Sequence, residues 1–118
     1  MATANKILIQ IRADAARVIK QAQDLFTRRS FQENTHAKAN IRHVELEANT
    51  MLSSFAEQAI RLRLNQKNDE GRYGFYNPDV CSIEDLKTML ETALSKGNML
   101  DAAIFCLFIY TRQQGERV

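Results

Sequence analysis

The residues best suited to chemistry in this chain of 118 residues crowd into one stretch. Arg61-Leu62-Arg63-Leu64-Asn65-Gln66-Lys67 is followed at once by Arg72, Tyr73, Phe75 and Tyr76. Guanidinium and ammonium groups make charge-assisted hydrogen bonds to phosphate, and aromatic rings stack on bases. Four cations beside three aromatics, at a helix end running into a loop, therefore suit a phosphate-bearing or base-bearing ligand. The candidate ligand-binding set is Arg61, Arg63, Asn65, Lys67, Arg72, Tyr73 and Tyr76. The same residue types have plainer uses: arginines on a surface helix mostly solvate it, and loop aromatics often plug the end of a bundle.

Other constellations are poorer. His36, His43 and Glu47 are spaced by seven and four, which on a continuous helix places them on one face. Their first and last members stand about three turns of 5.4 Å apart, too far for one zinc ion, so no intramolecular metal site is expected. Cys106 lies inside an apolar run, where it reads as a small core residue, and Cys81 stands beside a helix cap. Nothing places a histidine near either, so nucleophilic cysteine chemistry has no support. Gly71-Arg72-Tyr73-Gly74 lacks the strand and helix context of a phosphate loop.

Whole-chain properties narrow the class. The length suits one domain spanning 1–118, and 45% hydrophobic with 25% charged residues is ordinary for a globular protein. A net charge of +2 is too small to argue for nucleic acid. Two cysteines make no disulfide framework and fit a reducing cytosol. The N-terminal segment holds only five largely apolar residues before Arg12, too few for a signal peptide, so the expected location is cytoplasmic. No segment reaches the roughly 20 apolar residues of a membrane span.

The elements that must position the candidate residues are helical. Leu8, Ile11, Ala15, Val18, Ala22 and Leu25 alternate spacings of three and four, which predicts a helix from about Asn5 to Arg29 with one apolar seam. Ser30-Phe31-Gln32-Glu33 has the form of a capping box and opens a second helix. A seam through Ile41, Val44, Ala48, Met51, Phe55, Ala59 and Leu62 carries that helix to about Asn68, with a break near 34–40. Residues 69–81 hold two of the four glycines and the sole proline, and read as a loop. Ser82-Ile83-Glu84-Asp85 is a second cap signature, starting a short helix with Ile83, Leu86, Met89, Leu90, Ala93 and Leu94 on its apolar side and ending at Gly97. Asn98 then caps a last helix with Asp101 in its first turn.

That last helix contains Met99-Leu100-Asp101-Ala102-Ala103-Ile104-Phe105-Cys106-Leu107-Phe108-Ile109-Tyr110, with one charge in twelve residues. Apolar residues on every side of a 3.6-residue period predict a helix enclosed by partners in the same chain or a second copy. The expected fold is all-α: about four helices with a long second one, arranged as a helical pair over 1–68, a loop over 69–81 and a short hairpin over 82–113, completed by self-association.

The series Phe55, Ala59, Arg63-Leu64-Asn65, Lys67, then Tyr73 through Leu86, Met89-Leu90, Lys96-Gly97-Asn98, Asp101 through Leu107 and Arg112 resembles the short phage-encoded relatives of the MazG-like all-α nucleoside triphosphate pyrophosphohydrolases. It covers roughly the last 64 residues. The resemblance implies a dimeric or tetrameric helical bundle using magnesium, held by helix carboxylates, to cleave a nucleotide into monophosphate and pyrophosphate. The family's Glu-Glu-x-x-Glu set is not reproduced, because the corresponding helix offers Glu84, Asp85 and Glu91, with Thr88 three residues after Asp85. Its later Glu-x-x-Asp pair becomes Asn98-x-x-Asp101, and Ile104 stands where an Asn follows in the family.

With those ligands missing, the expected function is non-catalytic: a self-associating helical binding protein, phage or prophage encoded by resemblance, acting on a host component or a host nucleotide signal. The expected partners are a second copy and a host protein or nucleotide rather than nucleic acid or a membrane, and no cofactor is expected unless the enzyme alternative, with magnesium, holds. The alternatives are a magnesium-dependent MazG-like pyrophosphohydrolase, whose metal ligands in this chain would be Glu91 and Asp101, and a nucleic-acid-binding accessory protein using the Arg61 to Arg72 region.

Overall fold

The computed structural model describes residues 2–30 and 37–117. The chain is all-α, with α1 (Ala2–Ser30), α2 (Ala37–Asp69), α3 (Ile83–Ser95) and α4 (Met99–Gly115), and no strand among the described residues. Ser30 ends α1, and residues 31–33 of the cap expected there lie outside the described residues. No helix of the described residues is long and apolar enough to cross a membrane.

The chain divides into two compact units, Met1–Gln66 and Lys67–Val118. In the first, the helical seams lie where the spacing put them: Ile11, Ala15, Val18, Ala22 and Leu25 of α1, and Ala48, Met51, Phe55 and Leu62 of α2, are half-buried. Val44 and Ala59 are buried. Leu8 and Ile41, which the spacing placed in the seams, are exposed. Arg29 pairs with Glu47 at 3.5 Å, tying the end of α1 to α2. The mid-helix hydroxyls of Thr50 and Ser53 donate to the carbonyls of Leu46 and Asn49, which satisfies them without a partner from outside the helix.

In the second unit α3 packs on α4. Leu86 and Ala93 of α3 and Ala102 and Ile104 of α4 are buried. The capping box at Ser82 forms as the sequence requires: the Asp85 amide donates to Ser82 Oγ at 3.0 Å, and the Ser82 amide donates to Asp85 Oδ2 at 3.0 Å. At the far end Gly97 takes φ +73°, its amide donating to the Leu94 carbonyl at 3.1 Å and the Asn98 amide to that of Ala93 at 2.9 Å. This paired αL closure ends α3.

Three expectations for this unit are corrected. Asn98 stands at the N-cap of α4 but makes no side-chain cap bond; with its amide already closing α3, it sits at φ −84°, ψ 78°, outside the extended geometry that aims a cap side chain. Leu94, placed on the apolar side of α3, is exposed. Cys106, read as a small core residue, is exposed, as are Met99, Leu107 and Tyr110 of the same apolar run.

Candidate functional site

The candidate set falls on both units, with Arg61, Arg63 and Asn65 in the first and Lys67, Arg72, Tyr73 and Tyr76 in the second. On α2, Arg61 and Asn65 are four residues apart and share an exposed face. Arg61 is taken up by a hydrogen-bonded ion pair with Glu57 one turn earlier. Arg63 stands two residues from Arg61, on another side of the helix, where it is half-buried and donates Nη1 to Gln66 Oε1 at 2.6 Å. These two arginines therefore do not make a common anion cradle.

The second unit holds a better-defined arrangement. α2 ends as α3 does, with Gly71 at φ +87° and the amides of Gly71 and Arg72 donating to the carbonyls of Asn68 and Lys67, both at 2.9 Å. Lys67 is 3.8 Å from Glu70. From Gly74 to Cys81 the chain folds on itself. The Asn77 amide reaches the Gly74 carbonyl at 3.0 Å, Asn77 Oδ1 accepts from the Asp79 amide at 2.9 Å, and the Asn77 carbonyl accepts from Val80 and Cys81. An asparagine bonding two residues ahead is a side-chain mimic of a turn.

Aromatic packing fixes this loop to α4. Phe75 stacks on Phe108 with ring centroids 4.3 Å apart and planes within 7°. Tyr76 meets Phe75 edge-on at 5.4 Å. Phe75 is thus the aromatic that plugs the helix pair, whereas Tyr73 and Tyr76 remain 77% and 69% exposed. Arg72 is exposed beside them, with no ion pair among the described residues. The loop is not a basic patch, since Asp69, Glu70 and Asp79 offset Lys67 and Arg72.

Sequence reasoning missed Arg112, which is buried and donates Nη1 to the Cys81 carbonyl, 31 positions earlier. It thereby holds the loop where it enters α3. The signal was present: Arg112 continues the half-buried positions Phe105 and Phe108 at spacings of three and four, so it lies on the covered side of α4. Burial raises the Cys81 thiol above its ordinary pKa, the nearby Asp85 carboxylate adds to this, and Arg112 opposes it. A thiol held protonated is a poor nucleophile.

The chain matches no family model, no curated protein and no solved structure.

The magnesium ligands that the resemblance implies find no such arrangement. Asp85 is committed to the capping box, Glu84 lies 3.7 Å from Lys87, and Glu91 is exposed on α3. Among the described residues no group of three or more His, Cys, Asp or Glu can hold a metal ion. His36 lies outside the described residues, His43 is exposed, and Glu47 is engaged by Arg29.

Proposed function

We propose that this chain is a non-catalytic, self-associating helical binding protein that acts on a host component or a host nucleotide signal, and that its ligand is held by Arg72, Tyr73 and Tyr76. The observation that carries this reading is the built turn over residues 71–81. Its backbone is closed by hydrogen bonds, Phe75 is stacked onto α4, and two tyrosines and an arginine are left facing solvent. Ordering a loop beforehand removes an entropy cost from binding, and an exposed ring braced by its neighbour is a suitable stacking surface. Phage or prophage origin, and a host as target, rest on the family resemblance. The weak charge of the loop favours a ligand with few phosphates over a nucleic-acid backbone, whose binding is dominated by cation contacts.

The test is a panel of ribo- and deoxynucleotides with magnesium, read for binding and pyrophosphate release. No pyrophosphate above background is expected, and Tyr73→Ala and Arg72→Ala should each weaken binding by about 1–3 kcal/mol without altering the thermal midpoint. Magnesium-dependent release abolished by Glu91→Ala or Asp101→Ala would establish the pyrophosphohydrolase instead.

A further inference from the structure

The exposed apolar residues of α4 are not scattered around it. Taking Cys106 as reference and about 100° per residue, Met99, Ala103, Cys106, Leu107 and Tyr110 fall within an arc roughly 100° wide. All five are exposed, Met99 by 59%, Leu107 by 43% and Tyr110 by 61%. Asp101 and Arg112, the two charged residues of the helix, lie on its other side, with Arg112 buried. The arc carries no charge along its length, and ends at Gln113 and Gln114.

The spacing along this arc is symmetric. Met99, Ala103, Cys106 and Tyr110 are separated by four, three and four residues, a palindrome centred between Ile104 and Phe105. A two-fold axis through that centre, perpendicular to the helix, places Met99 opposite Tyr110 and Ala103 opposite Cys106 of an antiparallel second copy. We propose that this stripe is the surface on which a second copy of the chain docks; this rests on the self-association reading above and names its interface. Small side chains occupy the two inner layers, which lets the helix axes approach closely, and the outer layers pair a thioether with an aromatic ring. In an isologous contact each residue meets its counterpart twice, so one palindromic seam is sufficient.

The size of the stripe agrees with a reversible dimer. The five residues expose on the order of 500 Å² per copy, so a symmetric pair covering all of them removes at most about 1,000 Å², which places the contact at the weak, reversible end of specific interfaces. Antiparallel helices also set the positive end of one dipole beside the negative end of the other.

Sedimentation of the full chain across a range of concentrations, for wild type and Ala103→Arg, tests the seam. Ala103 is exposed, so the arginine does not disturb the fold of one copy but enters an inner layer of the pair. The expected result is a wild-type dimer and at least a tenfold weaker association for Ala103→Arg at unchanged helicity. A short bis-maleimide supplies an independent measurement. Only Cys106 is exposed, and two copies related by the proposed axis bring its sulfurs within about 10 Å, so a covalent dimer should form in wild type and not in Ala103→Arg. Dimers that survive Ala103→Arg and escape cross-linking would overturn the seam and leave self-association standing. A wild-type monomer at every concentration would remove both. Loss of helicity in Ala103→Arg would show the stripe to be covered by the chain's own N-terminal helices, and would equally overturn the proposal.

Discussion

Gly74 shows how one residue type can determine a local structure. It is buried at φ +90°, and a Cβ built on it would stand 2.5 Å from Val80 Cγ1. Gly71, at φ +87°, has open space around the same position. Alanine at either site meets the left-handed penalty of about 1–2 kcal/mol, but at Gly74 the methyl must also push Val80 aside, whose Cβ would stand only 3.0 Å away. Gly74→Ala should therefore cost at least 1 kcal/mol more than Gly71→Ala in chemical denaturation. Equal losses would mean that the turn yields easily and does not brace Tyr73 and Tyr76. The two cysteines give a second contrast. Cys106 is exposed and Cys81 is buried with a raised pKa, so a maleimide should modify Cys106 at once and Cys81 only on unfolding. The sign for stability follows: the folded state keeps the Cys81 proton at a pH where the unfolded thiol has lost it. Its contribution is fully present below the unfolded thiol's range and declines as the solution becomes more alkaline. Reaction of Cys81 at the rate of Cys106 in the native protein would contradict this burial.

At the scale of elements, the sequence was most informative where short-range chemistry decides the outcome. The Ser82 to Asp85 box, the glycine closing α3 and the seams of α1 and α2 depend on neighbours three or four residues away, and each was legible. Asn98 was misleading, because the tight turn gives its backbone two duties and leaves its side chain misdirected. Ser82→Ala should accordingly cost about 1 kcal/mol, whereas Asn98→Ala should change stability by only a few tenths. Thermal denaturation of the two variants checks the difference, and a large loss at Asn98 would show that its side chain caps α4 in solution. Arg112 was not legible as a tether, since its acceptor is a carbonyl 31 positions away and no local spacing reports that. The candidate binding set was legible as composition only. Helical phase separates Arg61 from Arg63 and Glu57 engages Arg61, while the hydrogen-bonded turn retains Arg72, Tyr73 and Tyr76 as a unit.

For the whole molecule, the amount of apolar surface left uncovered in one chain governs behaviour. In the first unit Val44 and Ala59 are the only buried apolar residues among those described, while Ile9, Ile19, Phe26, Leu46 and Leu52 are each more than half exposed. In the second, α4 turns Met99, Leu107 and Tyr110 outward. Hydrophobic burial is the main term opposing chain entropy, so a fold with little enclosed surface gains stability from any association that covers more. Association that favours the native state makes the unfolding midpoint rise with protein concentration. Between about 1 and 100 µM the midpoint of the wild-type chain should rise by several degrees, given that 1 kcal/mol shifts a domain of this size by roughly 4 °C. Ala103→Arg should reduce that dependence, and Tyr73→Ala, which lies outside the α4 stripe, should retain it. Scanning calorimetry at a series of concentrations measures all three. A wild-type midpoint independent of concentration would mean that one copy is stable with these faces open, and the self-association reading would then fail at the level of the whole chain.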